Sequence, residues 1–275
     1  MADSKSIFNR HIAIPQDHGS WVFIFSPLLI GLFAGGRFTL ASLFLVIAAM
    51  AAFMSRQPVT AAVKAYAGRR PRTDLPAARF WIVVYGIIAL AALGGLVWTG
   101  NSTVLLLAVP GLPVFAWHLY LVGRRAERKQ AGVEIVATGV LSLAAPAAYW
   151  IGRGEYNPLG WALWLLAWLQ SAASIVHAYM RLEQRILPEV PSRPERWKMG
   201  RRALLYTSFN LALSLAGGLG GILPIFIFAP YLLQWLETLW GITHPAIGVK
   251  PRRIGLRQLL VSTLFTLLFI LTWRL

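Results

Sequence analysis

The 275-residue chain has no cysteine. Disulfides, thiolate nucleophiles, Cys-ligated zinc, iron–sulfur clusters and covalently attached haem are thereby excluded. Acidic residues are scarce, 10 against 26 lysines and arginines, and charged residues make up only 13% of the whole. Soluble domains run near a quarter charged, so a water-soluble globular protein is also excluded. No acid-rich cluster is present to hold Mg²⁺ or Zn²⁺, and no H-x-x-x-H pair; no metal site is expected. What remains is apolar: 57% hydrophobic residues, with 24 glycines and 12 tryptophans. That is the make-up of bilayer-spanning helices with interfacial aromatic belts.

A helix needs roughly 20 mostly apolar residues to cross the hydrocarbon. Such stretches fall at about 18–35, 38–55, 79–98, 103–122, 132–151, 159–180, 203–219, 221–240 and 257–273. Nine spans are expected in one all-α transmembrane domain over 1–275. The last three depend on a tight turn at Gly217, Gly218, Gly220 and Gly221, and Pro224 and Pro230 should then kink span eight. Placing the N-terminus in the cytoplasm puts every basic residue except Arg37, Arg153 and Arg274 on the cytoplasmic side. Positive charge beside spans stays on that side, so the topology reads N-in and C-out. The net charge of +16 then faces anionic headgroups rather than nucleic acid.

Polar groups inside spans are costly and therefore informative. Gln170, Ser174, His177 and Arg181 recur at spacings of four, three and four, which puts them on one face of span six. Arg185 lies one turn further on. This stripe either lines a cavity or marks a helix end leaving the membrane with its arginines snorkelling to headgroups. At the same cytoplasmic depth lie Asp17 and His18 before span one, Glu134 at the start of span five, Asn210 in span seven and Glu237 in span eight. Glu134 also suits a helix N-terminus electrostatically. The five histidines, His11, His18, His118, His177 and His244, all map to the cytoplasmic end. A b-type haem between His118 and His177, or His18 and either, is conceivable chemistry without a signature in the spacing.

Several patches together resemble the YwiC-like proteins, a family of bacterial membrane proteins. They are Pro15-Gln16-Asp17-His18-Gly19-Ser20-Trp21 with Pro27-Leu28-Leu29, Ser55-Arg56-Gln57-Pro58-Val59, Glu134 with Ala144-Ala145-Pro146-Ala147, and Ser174 to Arg185. The family brings no established activity. A more distant, architectural resemblance is to UbiA-type intramembrane prenyltransferases, which have nine helices, N-in and C-out, and two Asp-rich Mg²⁺ motifs. Where their second motif reads D-x-x-Y-A-x-x-D-x-x-x-D, this chain keeps Ala178 but carries Ser174, Arg181 and Arg185 at the aspartate positions. Ser55–Lys64, in place of the first, contains no acid. The resemblance implies a UbiA-like bundle in the bacterial inner membrane that lacks the metal site. It suggests binding of an isoprenoid or anionic lipid-like ligand from the cytoplasmic side, with His18, Arg56, Glu134, Gln170, Ser174, His177, Arg181, Arg185 and Asn210 as candidate ligand residues. Guanidinium groups suit oxyanions. No catalytic residue is assigned. Two other readings stand beside it: a metal-independent prenyl or lipid transferase, and an accessory or assembly subunit of a respiratory or photosynthetic membrane complex touching quinone or haem.

Overall fold

A computed structural model describes residues 10–15, 20–126 and 130–275, and among these there is helix and no strand. Eleven α-helices follow in order: α1 Arg10–Ala13, α2 Val22–Gly35, α3 Leu40–Tyr66, α4 Leu75–Trp98, α5 Gly111–Gly123, α6 Ala131–Leu141, α7 Ala144–Arg153, α8 Leu159–Gln184, α9 Arg193–Leu219, α10 Phe228–Thr243 and α11 Pro251–Trp273. Short 3₁₀ turns precede α4, α5 and α10. Among the described residues seven helical segments are long and apolar enough to cross a membrane: Leu40–Tyr66, Arg72–Trp98, Ser102–Gly123, Ala131–Arg153, Leu159–Gln184, Ile225–Thr243 and Pro251–Trp273. The chain is a multi-pass membrane protein.

The expected spans one and seven differ from these seven for separate reasons. α2 is apolar but has only 14 residues, about 21 Å at 1.5 Å per residue, against a hydrocarbon core of about 30 Å. α9 is long enough, but Arg193, Arg196, Lys198, Arg201 and Arg202 occupy its first turns and dilute its apolar character. Span two was expected to end near 55, yet α3 continues to Tyr66 through Pro58. Its start is well specified: the Thr39 hydroxyl accepts from the Ser42 N–H at 3.2 Å, and the Ser42 hydroxyl accepts from the Thr39 N–H. Such a reciprocal box satisfies donors that a helix start otherwise leaves orphaned.

Two prolines do different work from that expected. Pro224 precedes α10 and Pro230 lies in its first turn, where a missing N–H costs nothing, so neither kinks the helix. The break falls instead in span five. α6 ends at Leu141 and α7 begins at Ala144, because Pro146 cannot donate to the Ser142 carbonyl four residues back. The turn between α9 and α10 is where the glycines put it, with Gly220 capping α9 and Gly221 at φ +69°, a conformation that side-chain-bearing residues rarely adopt.

α2 packs chiefly on α7, α3 on α4, and α10 on α9. At its tightest point the α2–α7 contact is made by backbone. A Cβ on Gly31 would collide with the Ala145 carbonyl, so only glycine lets the two backbones approach, as small residues do where membrane helices associate. One apolar core joins Ile30, Ala145, Leu163, Leu166, Ile227, Tyr231, Phe265 and Phe269 from α2, α7, α8, α10 with the turn before it, and α11. α8 is therefore flanked on several sides, and it positions both features described next.

Candidate functional site

The polar stripe of α8 is buried against α10 and α11. Gln170, Ser174, His177 and Arg181 are 2%, 2%, 6% and 6% exposed. Their partners come from matching positions on α10, where Gln234, Thr238 and Gly241 are spaced by four and three and share a face. The Gln170 amide donates to the Ser174 hydroxyl at 3.0 Å and to Ser262 of α11 at 3.3 Å. The Gln234 amide donates to the Gln170 carbonyl at 2.9 Å and to the Ser174 hydroxyl at 3.1 Å. Thr266, one turn beyond Ser262, donates to Ser26 of α2 at 2.7 Å. Four helices are thus tied by side chains, which in hydrocarbon act as interhelical glue. The Gln234 side-chain oxygen and that of Asn210 are buried without a partner.

Towards the basic end of the bundle the seam becomes ionic. His177 Nδ1 lies 3.5 Å from the Thr238 hydroxyl, and its Nε2 lies 3.9 Å from a Glu237 carboxylate oxygen. Arg257 grips the same carboxylate with two bonds, Nε at 2.6 Å and Nη2 at 2.8 Å, the planar fork-to-carboxylate arrangement. Its guanidinium also sits 3.4 Å over the Trp240 ring, a cation–π contact. Arg181 turns the other way. Its Nη1 donates to the carbonyls of Gly241 at 2.7 Å and His244 at 2.6 Å, and to the Gln184 side chain at 2.9 Å. Those carbonyls belong to the end of α10, where the helix has no further N–H donors of its own to offer them and its dipole favours a cation.

The remaining candidates divide. Arg185 donates to the Val249 carbonyl at 3.3 Å and receives the Gly248 N–H on its own carbonyl at 3.1 Å, fastening the loop after α10 to the end of α8. Asn210 donates to the Leu169 carbonyl at 2.9 Å and joins α9 to α8. Glu134 lies in the first turn of α6 and accepts from the Tyr179 hydroxyl at 2.9 Å. Arg56 is half-buried on α3, which packs mainly on α4, away from the seam. Beside it, Gln57 donates to the His11 carbonyl at 2.9 Å, docking the N-terminal segment. His118 is on α5, whose chief neighbours are α3 and α6, whereas His177 faces α10. His18 and Asp17 lie outside the described residues; α2 is preceded by Trp21, which makes no side-chain cap. Among the described residues no three His, Asp or Glu side chains gather as a metal site would require.

A cavity that the polar stripe does not line was not expected from the sequence. A groove of about 880 Å³ opens at the other end of α8, between residues 100–110, which lead into α5, on one side and α6, α7, α8 and the loop after α7 on the other. Trp150 of α7 and Trp161, Trp164 and Trp168 of α8 line it. The indoles run as a ladder, with centroids 5.3, 6.1 and 5.3 Å apart in that order. Each indole N–H is already spent. Trp150 donates to the Asn157 carbonyl at 2.7 Å, Trp161 to the Tyr156 hydroxyl at 3.2 Å, Trp164 to the Gly139 carbonyl at 2.8 Å and Trp168 to the Ile135 carbonyl at 2.8 Å. The walls therefore offer ring carbon and aliphatic side chains, with polar groups such as Asn101 and Glu155 at one end. Glu155 lies 3.8 Å from Arg153. The one signal in the sequence was the spacing of Trp161, Trp164 and Trp168 by three and four, a face of α8 turned away from the polar stripe.

Comparison with known proteins adds the following. The family model described as YwiC-like protein matches residues 14–149, which span α2 to most of α7 and stop before the seam. The chain is 27% identical over 203 residues to the Bacillus subtilis (strain 168) protein named "Uncharacterized protein YwiC", covering 70% of this chain and 74% of that one. No solved structure matches.

Proposed function

This chain belongs to the YwiC-like family, and from its structure we propose that it is an inner-membrane protein that holds the hydrocarbon chain of an isoprenoid or other lipid in the aromatic groove beside α8. The observation that carries this reading is the consumption of all four indole N–H groups by the protein itself. A cavity meant for a polar solute would leave such donors free, because small-molecule sites fix their ligands with a few available polar groups. These walls have apolar faces to give, and within the bilayer a chain seated there is held by close packing against them. The volume falls in the usual range for ligand sites, roughly 300–1,000 Å³.

The same proposal takes nine crossings, N-in and C-out, on a scaffold similar to UbiA-type proteins. It adds α2 and the apolar second half of α9 to the seven long apolar segments, because that odd count keeps the basic residues of the sequence on one side. In that orientation the groove opens in the outer half of the bilayer and the ionic seam lies at the cytoplasmic end. The polar stripe of α8 then serves as internal fastening, and the ligand's chain has its seat on the opposite face of the helix.

Native mass spectrometry of gently solubilised protein tests the reading. A polyisoprenoid or acyl lipid should co-purify with the wild type and be lost from Val136→Trp, which fills the groove from its α6 wall. Thermal unfolding of delipidated samples should be similar for both. A chain retained in Val136→Trp, or none bound by the wild type, would overturn it.

A further inference from the structure

A second, smaller cleft of about 110 Å³ lies between the first turns of α9 and the last turn of α10, lined by Arg193, Arg196, Trp197, Ile242 and Thr243. It exists because Gly200 has no side chain. A Cβ there would run into the Ile242 side chain, so α9 can lie close to α10 only at this glycine, and Ile242, fully buried, forms the floor. Above that floor Arg196 is fixed by a bond from Nη1 to the Thr243 carbonyl at 3.0 Å. Guanidinium is planar and rigid, so pinning one nitrogen sets the direction of the others. The Arg196 Nε is buried and has no hydrogen-bond partner. A buried charged donor without an acceptor is costly to leave so.

No neighbouring acid answers this charge. Glu195 is next in sequence, but its carboxylate accepts from the Ser192 N–H at 2.8 Å and the Ser192 hydroxyl at 2.7 Å. Neither Arg193 nor Arg196 is in an ion pair among the described residues. The Ser192–Glu195 box also occupies the start of α9, so an anion here would be held by side chains. Lys198, Arg201 and Arg202 lie exposed on the following turns, and Trp197, 39% exposed, closes one side as an interfacial tryptophan does. With about 30 Å³ per water molecule in the liquid, the cleft takes a compact group of a few waters' size.

We propose that this cleft is a seat for a phosphate-type oxyanion, received by the Arg196 guanidinium with the Arg193 guanidinium beside it. The chemistry is shared by the headgroup phosphate of an anionic lipid and by a free phosphate. Arginine forks suit either. The cleft is at the opposite end of the bundle from the aromatic groove and does not depend on what that groove holds.

The full chain in a mild detergent, titrated separately with phosphatidylglycerol, phosphatidylcholine and inorganic phosphate, decides it. Native mass spectrometry counts bound lipids and the thermal midpoint reports phosphate. Phosphatidylglycerol should bind in preference to phosphatidylcholine, and Arg196→Gln should weaken it by about ten- to a hundredfold, the worth of one charge-assisted bond. Arg193→Gln should weaken it in the same direction. That variant tests the seat without disturbing Thr243, since among the described residues Arg193 is in no ion pair. Arg201→Gln removes the same charge from the same helix outside the cleft and should change binding twofold or less. A response to inorganic phosphate that Arg193→Gln abolishes identifies the free ion as the occupant; a response to phosphatidylglycerol alone identifies the headgroup. Equal losses in Arg193→Gln and Arg201→Gln, or no loss in Arg193→Gln, would overturn the proposal.

Discussion

Gly241 and His177 meet where α10 crosses α8, and a Cβ added at 241 would come within 2.7 Å of the His177 Cε1. The missing side chain allows the ionic end of the seam to close, because it brings the Gly241 carbonyl within 2.7 Å of Arg181. A Gly241→Ala protein should therefore be less stable by about 1–3 kcal/mol, the usual cost of overpacking a tight contact. Gly255 on α11 meets nothing within 4 Å. Gly255→Ala should be neutral or gain up to about 1 kcal/mol from helix propensity. Thermal unfolding of both variants in the same detergent gives the comparison. Equal behaviour would mean that the α8–α10 crossing relaxes freely.

Arg181 should behave as a fastening of α10. Its three acceptors, the Gly241 and His244 carbonyls and the Gln184 side chain, lose their charged donor in Arg181→Met. Charge-assisted bonds contribute about 1.5–3 kcal/mol each and are not additive, so a loss of about 2–4 kcal/mol is expected. Arg181→Lys should recover part of it, since one ammonium can reach fewer of the acceptors in their fixed positions. The midpoint of unfolding, and faster hydrogen exchange confined to the last turn of α10 and the loop after it, are the measurements.

Topology can be read without background because the chain lacks cysteine. Single cysteines at Tyr66 and Ser192 should react with an impermeant thiol reagent only from the cytoplasmic side. Those at Ser102 and Glu155 should react only from the other. Labelling of position 192 from outside would remove α9 from the set of crossings.

The start of α9 should show a pH dependence of known sign. Donors from Ser192 hold the Glu195 carboxyl below its ordinary value of 4.5. A group depressed in the folded state stabilises it fully above the unfolded pKa and loses that contribution as pH falls through the folded one. The stability advantage of wild type over Glu195→Gln should thus be constant above about pH 5 and shrink below about pH 4. An advantage that grew on acidification would contradict the capping geometry.

The sequence alone determined that the chain is helical and lives in a membrane, since hydropathy over 20 residues and the exclusion of charge from hydrocarbon are properties of a segment, independent of its neighbours. It also placed Gln170, Ser174, His177 and Arg181 on one face, because 3.6 residues per turn is fixed geometry. It could not say what covers that face. Whether the stripe bounds a cavity or meets Gln234, Thr238, Glu237 and Ser262 depends on which helices pack on α8, and for α10 that includes the close contact Gly241 makes with His177. The groove was hidden for the same reason. Four tryptophans in a membrane protein read as an interfacial belt; only their partners, backbone carbonyls at Ile135, Gly139 and Asn157 and the Tyr156 hydroxyl, turn them into an apolar wall. Periodicity belongs to one helix, whereas enclosed space and satisfied donors belong to the contacts between helices, and these are decided when the bundle packs.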